Sequence, residues 1–383
     1  MSTLIISLTP FDSSSANARY LPGEKMSQTV RSKSSSKPGC LDFRARRILD
    51  WMLLSCALGA LSLAPRMAPS FTQTESDIVV AAPRQVVPGV WLIAGALRPK
   101  REPDGNTVVF EGPKGLVVVD TGRHLAHRQA IRAFAESRHA NIVAIVNSHW
   151  HLDHVSGNAY LKSAYPMAKI YASRGIDHAL TGFLAKSAAD SRKYLQSDSL
   201  PPEMKEDIRS DLATVQNSVA LRPDVPIDSS QVLWLGGLRL NINLAPNAAT
   251  EGDVWVYDRA NGVAAVGDLV TMPSPFLDTA CPQGWIAALT RIWETPFKAV
   301  IPGHGMPMTR AQFATYRMAF SALVACSGSD RTKTACAADW TTATAGLRGA
   351  DPRELQLAQS MTEYYVGDVL RAHGGKSAYC TAT

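Results

Sequence analysis

The sequence predicts a layered α/β fold, and three observations carry that reading. Short β-branched runs recur between residues 85 and 310, separated by Gly or Asp-Gly turns. A helical spacing of apolar residues intervenes before one of them, giving a strand, strand, strand, helix, strand order. Directly after the run Ile142-Val143-Ala144-Ile145-Val146 comes Asn147-Ser148-His149-Trp150-His151-Leu152-Asp153-His154. Sheets of this kind usually build their sites at such a carboxyl edge.

Taken in order, Pro88-Gly89 opens strands at 90–94, 107–110 and 116–119, the last closed by Asp120-Thr121-Gly122. Ile131, Phe134 and Ala135 give 128–137 a helical apolar face, leading into the strand 142–146. Gly157 begins another helix, and 169–172 reads as a strand. From 175 to about 219 the composition turns to Ala, Leu, Lys and Asp, with Pro201-Pro202 dividing two amphipathic helices. This is a helical insertion over the site, either a substrate lid or a structural helical pair. Strands resume at 232–235, at 238–244 after the Gly236-Gly237 turn, and at 254–257 and 263–266, with Asp268 following. A helix near 285–293 precedes the strand 299–301 and then Pro302-Gly303-His304-Gly305. Helical patterns at 310–325 and 352–372 end the chain, and no repeat of solenoid length occurs.

The organisation follows: a leader over 1–84, a layered domain over 85–310 and a helical extension over 311–383. Residues 11–40 are rich in Ser, Lys and Arg and read as disordered. Arg44, Arg46 and Arg47 precede the apolar run 51–64, the pattern of a secretory signal, with Met26 as an alternative start. The run is shorter than the roughly 20 residues of a membrane span, so the membrane is a partner only if this segment is an uncleaved anchor. The expected location is periplasmic or secreted. Residues 1–64 hold eight basic and four acidic residues and so supply most of the formal +6. The remainder carries too little charge to propose nucleic acid as a partner. Past the leader stand Cys281, Cys326, Cys336 and Cys380, an even set that favours disulfides in an exported chain.

His149, His151, Asp153 and His154 form a tight group of imidazole and carboxylate donors, which suits zinc or another borderline divalent ion. A solvated polar turn would not gather three of nine histidines into six residues. Taken singly, Asp120, Asp253 and Asp268 are also ordinary caps of turns after strands. Trp150 reads as packing, His178 as a surface histidine, and Lys186 and Lys193 as a solvated helix face.

The H-x-H-x-D-H string at 149–154, with Asp120, Asp268 and glycine-flanked His304 in order around it, resembles the metallo-β-lactamase superfamily over roughly 85–310. The resemblance implies a four-layer αββα sandwich with a metal site at one edge. It places His149 and His151 in a first metal site, Asp153, His154 and His304 in a second, and Asp268 between the two. Asp153 would also orient the attacking hydroxide as the catalytic residue, and Asp120 would hold a ligand from behind. One residue departs from the pattern: in Ala249-Thr250-Glu251-Gly252-Asp253 an alanine stands where a third first-site histidine is usual. Zinc, as one or two ions, is the implied cofactor, with the second site the filled one.

The implied activity is that of a zinc-dependent hydrolase. A metal-bound hydroxide would attack a small-molecule ester, thioester, lactone or β-lactam. Its competitor is a metal- or ligand-binding protein of the same fold whose hydrolytic activity has decayed, supported by Ala249.

Overall fold

A computed structural model describes residues 78–349 and 351–380. Most of the leader, with its apolar run and the expected signal, therefore lies outside the described residues. Among the described residues, no helix is long and apolar enough to cross a membrane.

The first half contains β1 (Arg84–Val87), β2 (Val90–Ile93), β3 (Thr107–Gly112), β4 (Gly115–Val119), α1 (Leu125–Ser137), β5 (Ile142–Val146), α2 (Leu152–Val155), α3 (Asn158–Ala164) and β6 (Lys169–Ala172). The insertion follows as α4 (Gly175–Thr181), α5 (Phe183–Tyr194) and α6 (Pro202–Gln216), and β7 (Val225–Pro226) completes a seven-stranded sheet in sequential order. Three helices thus replace the two expected here. Gly182 interrupts the first of those two, and Pro202 starts α6 at a position where its missing N–H costs nothing.

The second half contains β8 (Gln231–Leu235), β9 (Leu238–Pro246), β10 (Gly252–Asp258), β11 (Val263–Ala265), α7 (Pro282–Glu294), β12 (Ala299–Ile301), β13 (Met308–Thr309), α8 (Arg310–Ser327), α9 (Lys333–Ala343) and α10 (Pro352–Tyr364). The strands order as β13-β12-β11-β10-β9-β8. Both sheets are mixed: β4 to β7 run parallel after an antiparallel start, and β11 pairs parallel with β12 inside an otherwise antiparallel sheet.

Alternation along the strands explains the layering. In β4, Val117 and Val119 face the other sheet, joining Val108, Phe110 and Val146 against Leu240, Ile242, Val254, Val256 and Ile301. Leu116 and Val118 point the opposite way, onto Ile131, Phe134 and Leu161 of α1 and α3. On the far side, Trp255, Tyr257, Ala264 and Val300 meet Trp285, Leu289, Phe313, Phe320 and Trp340 of the carboxyl-terminal helices. The architecture is therefore an αββα sandwich, and runs that are apolar at every position are buried on both faces.

Two disulfides close the described chain, Cys326–Cys336 between α8 and α9 and Cys281–Cys380 across 99 residues. The helices of the second half also brace the segment after β11. The Trp285 indole donates to the Leu269 carbonyl at 2.9 Å, the Trp340 indole donates to the Pro273 carbonyl at 2.9 Å, and the Tyr316 hydroxyl accepts from the Thr271 N–H at 3.2 Å. Asp268 is held in place by this bracing.

Candidate metal centre

The two sheets deliver their loops to one edge. β5 ends at Val146, and the next eight residues carry His149, His151, Asp153 and His154 into a buried cluster. Asp268 arrives from the turn after β11 and His304 from the loop after β12. Two groups of donors result, each with its ligand atoms within 4.8 Å of one another: His149, His151 and Asp268, and Asp153, His154 and His304.

Asp268 spans the groups. Its Oδ2 lies 3.6 Å from His149 Nε2, while its Oδ1 lies 3.2 Å from His154 Nε2 and 3.6 Å from His304 Nε2. That Oδ1 is buried and faces only the two imidazole nitrogens, with no well-aligned hydrogen-bond donor, an arrangement that a cation would complete. Asp153 Oδ2 sits 2.9 Å from His304 Nε2 and 3.4 Å from His154 Nε2.

Hydrogen bonds behind the ligands decide which nitrogens face inward. Asp120 adopts φ of +62° directly after β4, an uncommon conformation for a residue with a side chain, and is buried. It accepts from the Ser148 N–H and hydroxyl, both at 2.7 Å, and from His154 Nδ1 at 2.9 Å. Because the Ser148 proton goes to Asp120, its oxygen accepts from His149 Nδ1–H at 2.9 Å, leaving His149 Nε2 with its lone pair inward. The Thr279 hydroxyl donates to the Ala249 carbonyl at 2.8 Å, so it accepts from His151 Nε2–H at 3.1 Å. His151 therefore turns a bare Nδ1 inward, 2.8 Å from His149 Nε2. Both inward nitrogens stand close enough to share one cation. The donor set fits a divalent metal such as zinc.

The groups differ in charge. Burial pushes His149 well below the usual imidazole range and His151 down to about 4. Burial also opposes a charge on His154, but Asp153, Asp268 and Asp120 outweigh it and hold its proton well above the ordinary range. His304 is raised by Asp268 and Asp153 against the same opposition. The field that keeps a proton on His154 is the field a divalent cation needs.

Two glycines set the fit. A Cβ at Gly303 would lie 2.0 Å from Asp268 Oδ1, and one at Gly105 would lie 2.4 Å from the His154 ring. Beside Gly105, Asn106 Nδ2 donates to the carbonyls of Pro302 and Gly305, both at 2.9 Å, tying the first sheet to the His304 loop.

Further out, Arg123 lies 3.9 Å from Asp153 Oδ1 and also pairs with Asp211 of α6. Asp207 of α6 takes Arg101 at 2.6 Å and His124 at 3.2 Å, so ion pairs seat the insertion next to the centre. Aromatic rings collect on the His151 side. Phe276 meets its imidazole edge-on at 4.9 Å, Phe183 of α5 lies 6.5 Å away, and Tyr379 packs on Phe183 at 5.1 Å.

The structure brings His149, His151, Asp153, His154, Asp268 and His304 together at this edge, with Asp120 behind them. Ala249 is buried and offers only its carbonyl. His178 is exposed on α4 and joins neither group. Asp253 caps its own loop, accepting from the Thr250 N–H at 2.9 Å. Trp150 is buried and donates to Glu251 at 3.2 Å, and Lys186 and Lys193 both pair with Asp190 on an open helix face. Ser148, Asn106, Gly105 and Arg123 were not foreseen as parts of the site; the loop 269–282 reads from the sequence as one that could reach it, with no role given to Thr279.

Residues 101–304, more than half of the chain, match the family profile described as the metallo-beta-lactamase superfamily. Among curated proteins the chain is 26% identical over 219 residues to a linear primary-alkylsulfatase from Pseudomonas sp. (strain ATCC 19151), covering 52% of this chain and 41% of that one. The chain thus spans less than half the length of this relative. The stereoselective inverting sec-alkylsulfatase Pisa1 from Pseudomonas sp. superposes with a TM-score of 0.53 at 20% identity, covering 77% of this chain and 50% of that one. A metallo-beta-lactamase family protein from Thermus thermophilus aligns with a TM-score of 0.48 at 17% identity, over 74% of this chain and 95% of that one.

Proposed function

Because the chain belongs to the metallo-beta-lactamase superfamily, we propose that it is a zinc-dependent hydrolase of a small ester-type substrate. One observation carries this reading: buried donors from two sheets converge with their inward nitrogens fixed by hydrogen bonds from behind. A divalent ion in such a set lowers the pKa of a coordinated water toward neutrality and polarises the scissile group. The chain's part is to hold His149 and His151 neutral, to present Asp153 beside His304 and His154, and to keep Asp268 between the two groups. Asp153 is the residue assigned to orient the nucleophile, since one of its oxygens faces the donors and the other faces Arg123.

Carboxylic esters, thioesters, lactones and β-lactams all suit this chemistry, and the name of the curated relative adds alkyl sulfate esters. The rings of Phe276 and Phe183 beside His151 favour a substrate with an apolar group next to the scissile bond. The two disulfides support action in an oxidising compartment, periplasmic or secreted. Ala249 favours a second reading, metal or ligand binding with decayed turnover, because the first group then holds only two imidazoles.

The test is metal content of the purified protein beside turnover of p-nitrophenyl acyl esters, a thioester, a lactone, a medium-chain alkyl sulfate and a chromogenic cephalosporin. One tightly held equivalent and metal-dependent turnover of at least one substrate are expected. Asp153→Ala should lower that turnover by roughly 100-fold or more. Metal-loaded protein inert toward the whole panel would sink the hydrolase reading and leave the binding one.

A further inference from the structure

Thr279 carries no family motif and stands 128 residues from the imidazole it touches. Its hydroxyl has one proton, which goes to the Ala249 carbonyl at 2.8 Å. A carbonyl can only accept, so the direction is fixed and the oxygen is left to receive His151 Nε2–H. The chain His151 Nε2–H to Thr279 Oγ1–H to Ala249 carbonyl has one polarity, and it leaves Nδ1 as the bare nitrogen. Position 249 thus serves the first group through its backbone, although its side chain cannot.

The loop that holds Thr279 is gripped from the carboxyl-terminal end of the chain. Ser377 donates its N–H to the Ala280 carbonyl at 3.1 Å and its hydroxyl to the Asp278 carbonyl, so both neighbours of Thr279 are pinned by one residue. Two residues on, Cys281 is joined to Cys380, and its N–H donates to the Ala248 carbonyl at 2.8 Å. The Tyr364 hydroxyl donates to Asp278 at 3.0 Å. A hydroxyl that must stay 3.1 Å from a ring nitrogen needs such a fixed loop, because a hydrogen bond weakens steeply once geometry slips.

We propose that Thr279 is a positioning residue that commits His151 to donate through Nδ1, and that the segment 377–380, closed by Cys281–Cys380, holds Thr279 in register. The proposal rests on the metal-centre reading for its purpose, but not for its measurement. Long-range proton–nitrogen correlation spectra of the metal-free protein, with His151→Ala to assign the signal, report the tautomer directly. Wild type and Thr279→Ser should show His151 as the Nε2–H form. Thr279→Val, which keeps the shape and removes the acceptor, should show a mixture or the Nδ1–H form.

Cobalt(II) titration gives the second arm. Thr279→Val should weaken the more weakly bound equivalent about 10- to 100-fold while the tighter one is unchanged, and Thr279→Ser should restore it. The double variant Cys281→Ser with Cys380→Ser should shift the same equivalent in the same direction by a smaller factor. A Thr279→Val protein that keeps the Nε2–H tautomer overturns the proposal. If wild type binds no metal, the metal-centre reading fails, and the tautomer spectra still decide what Thr279 does.

Discussion

The two halves of the centre are built on opposite principles. Around Asp153, His154 and His304 the carboxylates of Asp268, Asp153 and Asp120 crowd the imidazoles and raise their proton affinity, so this half attracts positive charge by itself. Around His149 and His151 burial dominates and keeps both rings neutral. The second half is set by charge. The first is set by orientation, through the hydroxyls of Ser148 and Thr279. Under the proposed function, a site short of one imidazole would keep two competent donors if their tautomers are held, while affinity would rest on the half with more carboxylate.

The sharpest way to break the contrast is Asp120→Asn. Asp120 reaches His154 directly and His149 through Ser148, so the change should weaken metal binding in both halves, by about 10- to 100-fold in zinc competition with a chromogenic chelator. Loss confined to one equivalent would show that the halves do not share this support.

A smaller effect is expected from Ala249→His. The position is buried in the cluster that packs α7 and α8, so the larger side chain should cost roughly 1–3 kcal/mol of stability in the metal-free protein, read by chemical denaturation. In return the first half gains an imidazole, and metal analysis should move from one retained equivalent toward two. An unchanged stoichiometry would mean that Ala249 is not what limits the first half.

The smallest effect comes from Asp278, beside Thr279. Burial raises its carboxyl to about 6, against donation from Tyr364. The folded protein therefore holds a proton there that the unfolded chain has released, and stability falls as pH rises from about 4 to about 6. Asp278→Asn should raise the melting temperature by a few degrees above pH 6, and the gain should vanish below pH 4. A gain that persists at low pH would point to packing rather than charge.

Much of the fold was legible because sandwich strands are buried on both faces. Runs such as Val117-Val118-Val119 and Ile142-Val143-Ala144-Ile145-Val146 have no other plausible home. The donors were legible because three imidazoles and a carboxylate in six residues are improbable without a cation. The third insertion helix was hidden by the break at Gly182, and α9 by an amino-acid pattern with little amphipathic contrast. The supporting residues were illegible for another reason. Ser148, Asn106 and Thr279 are ordinary types, and their roles exist only once chain distances of 28, 196 and 128 residues collapse.

Gly105 and Gly303 give this centre a vulnerability that its ligands do not reveal. At each, even the single methyl of alanine would occupy space now taken by His154 or Asp268. A descendant of this chain could keep every donor and still lose the site through one added carbon. Counting ligands in a sequence therefore overstates competence, and the emptiest positions belong in the count.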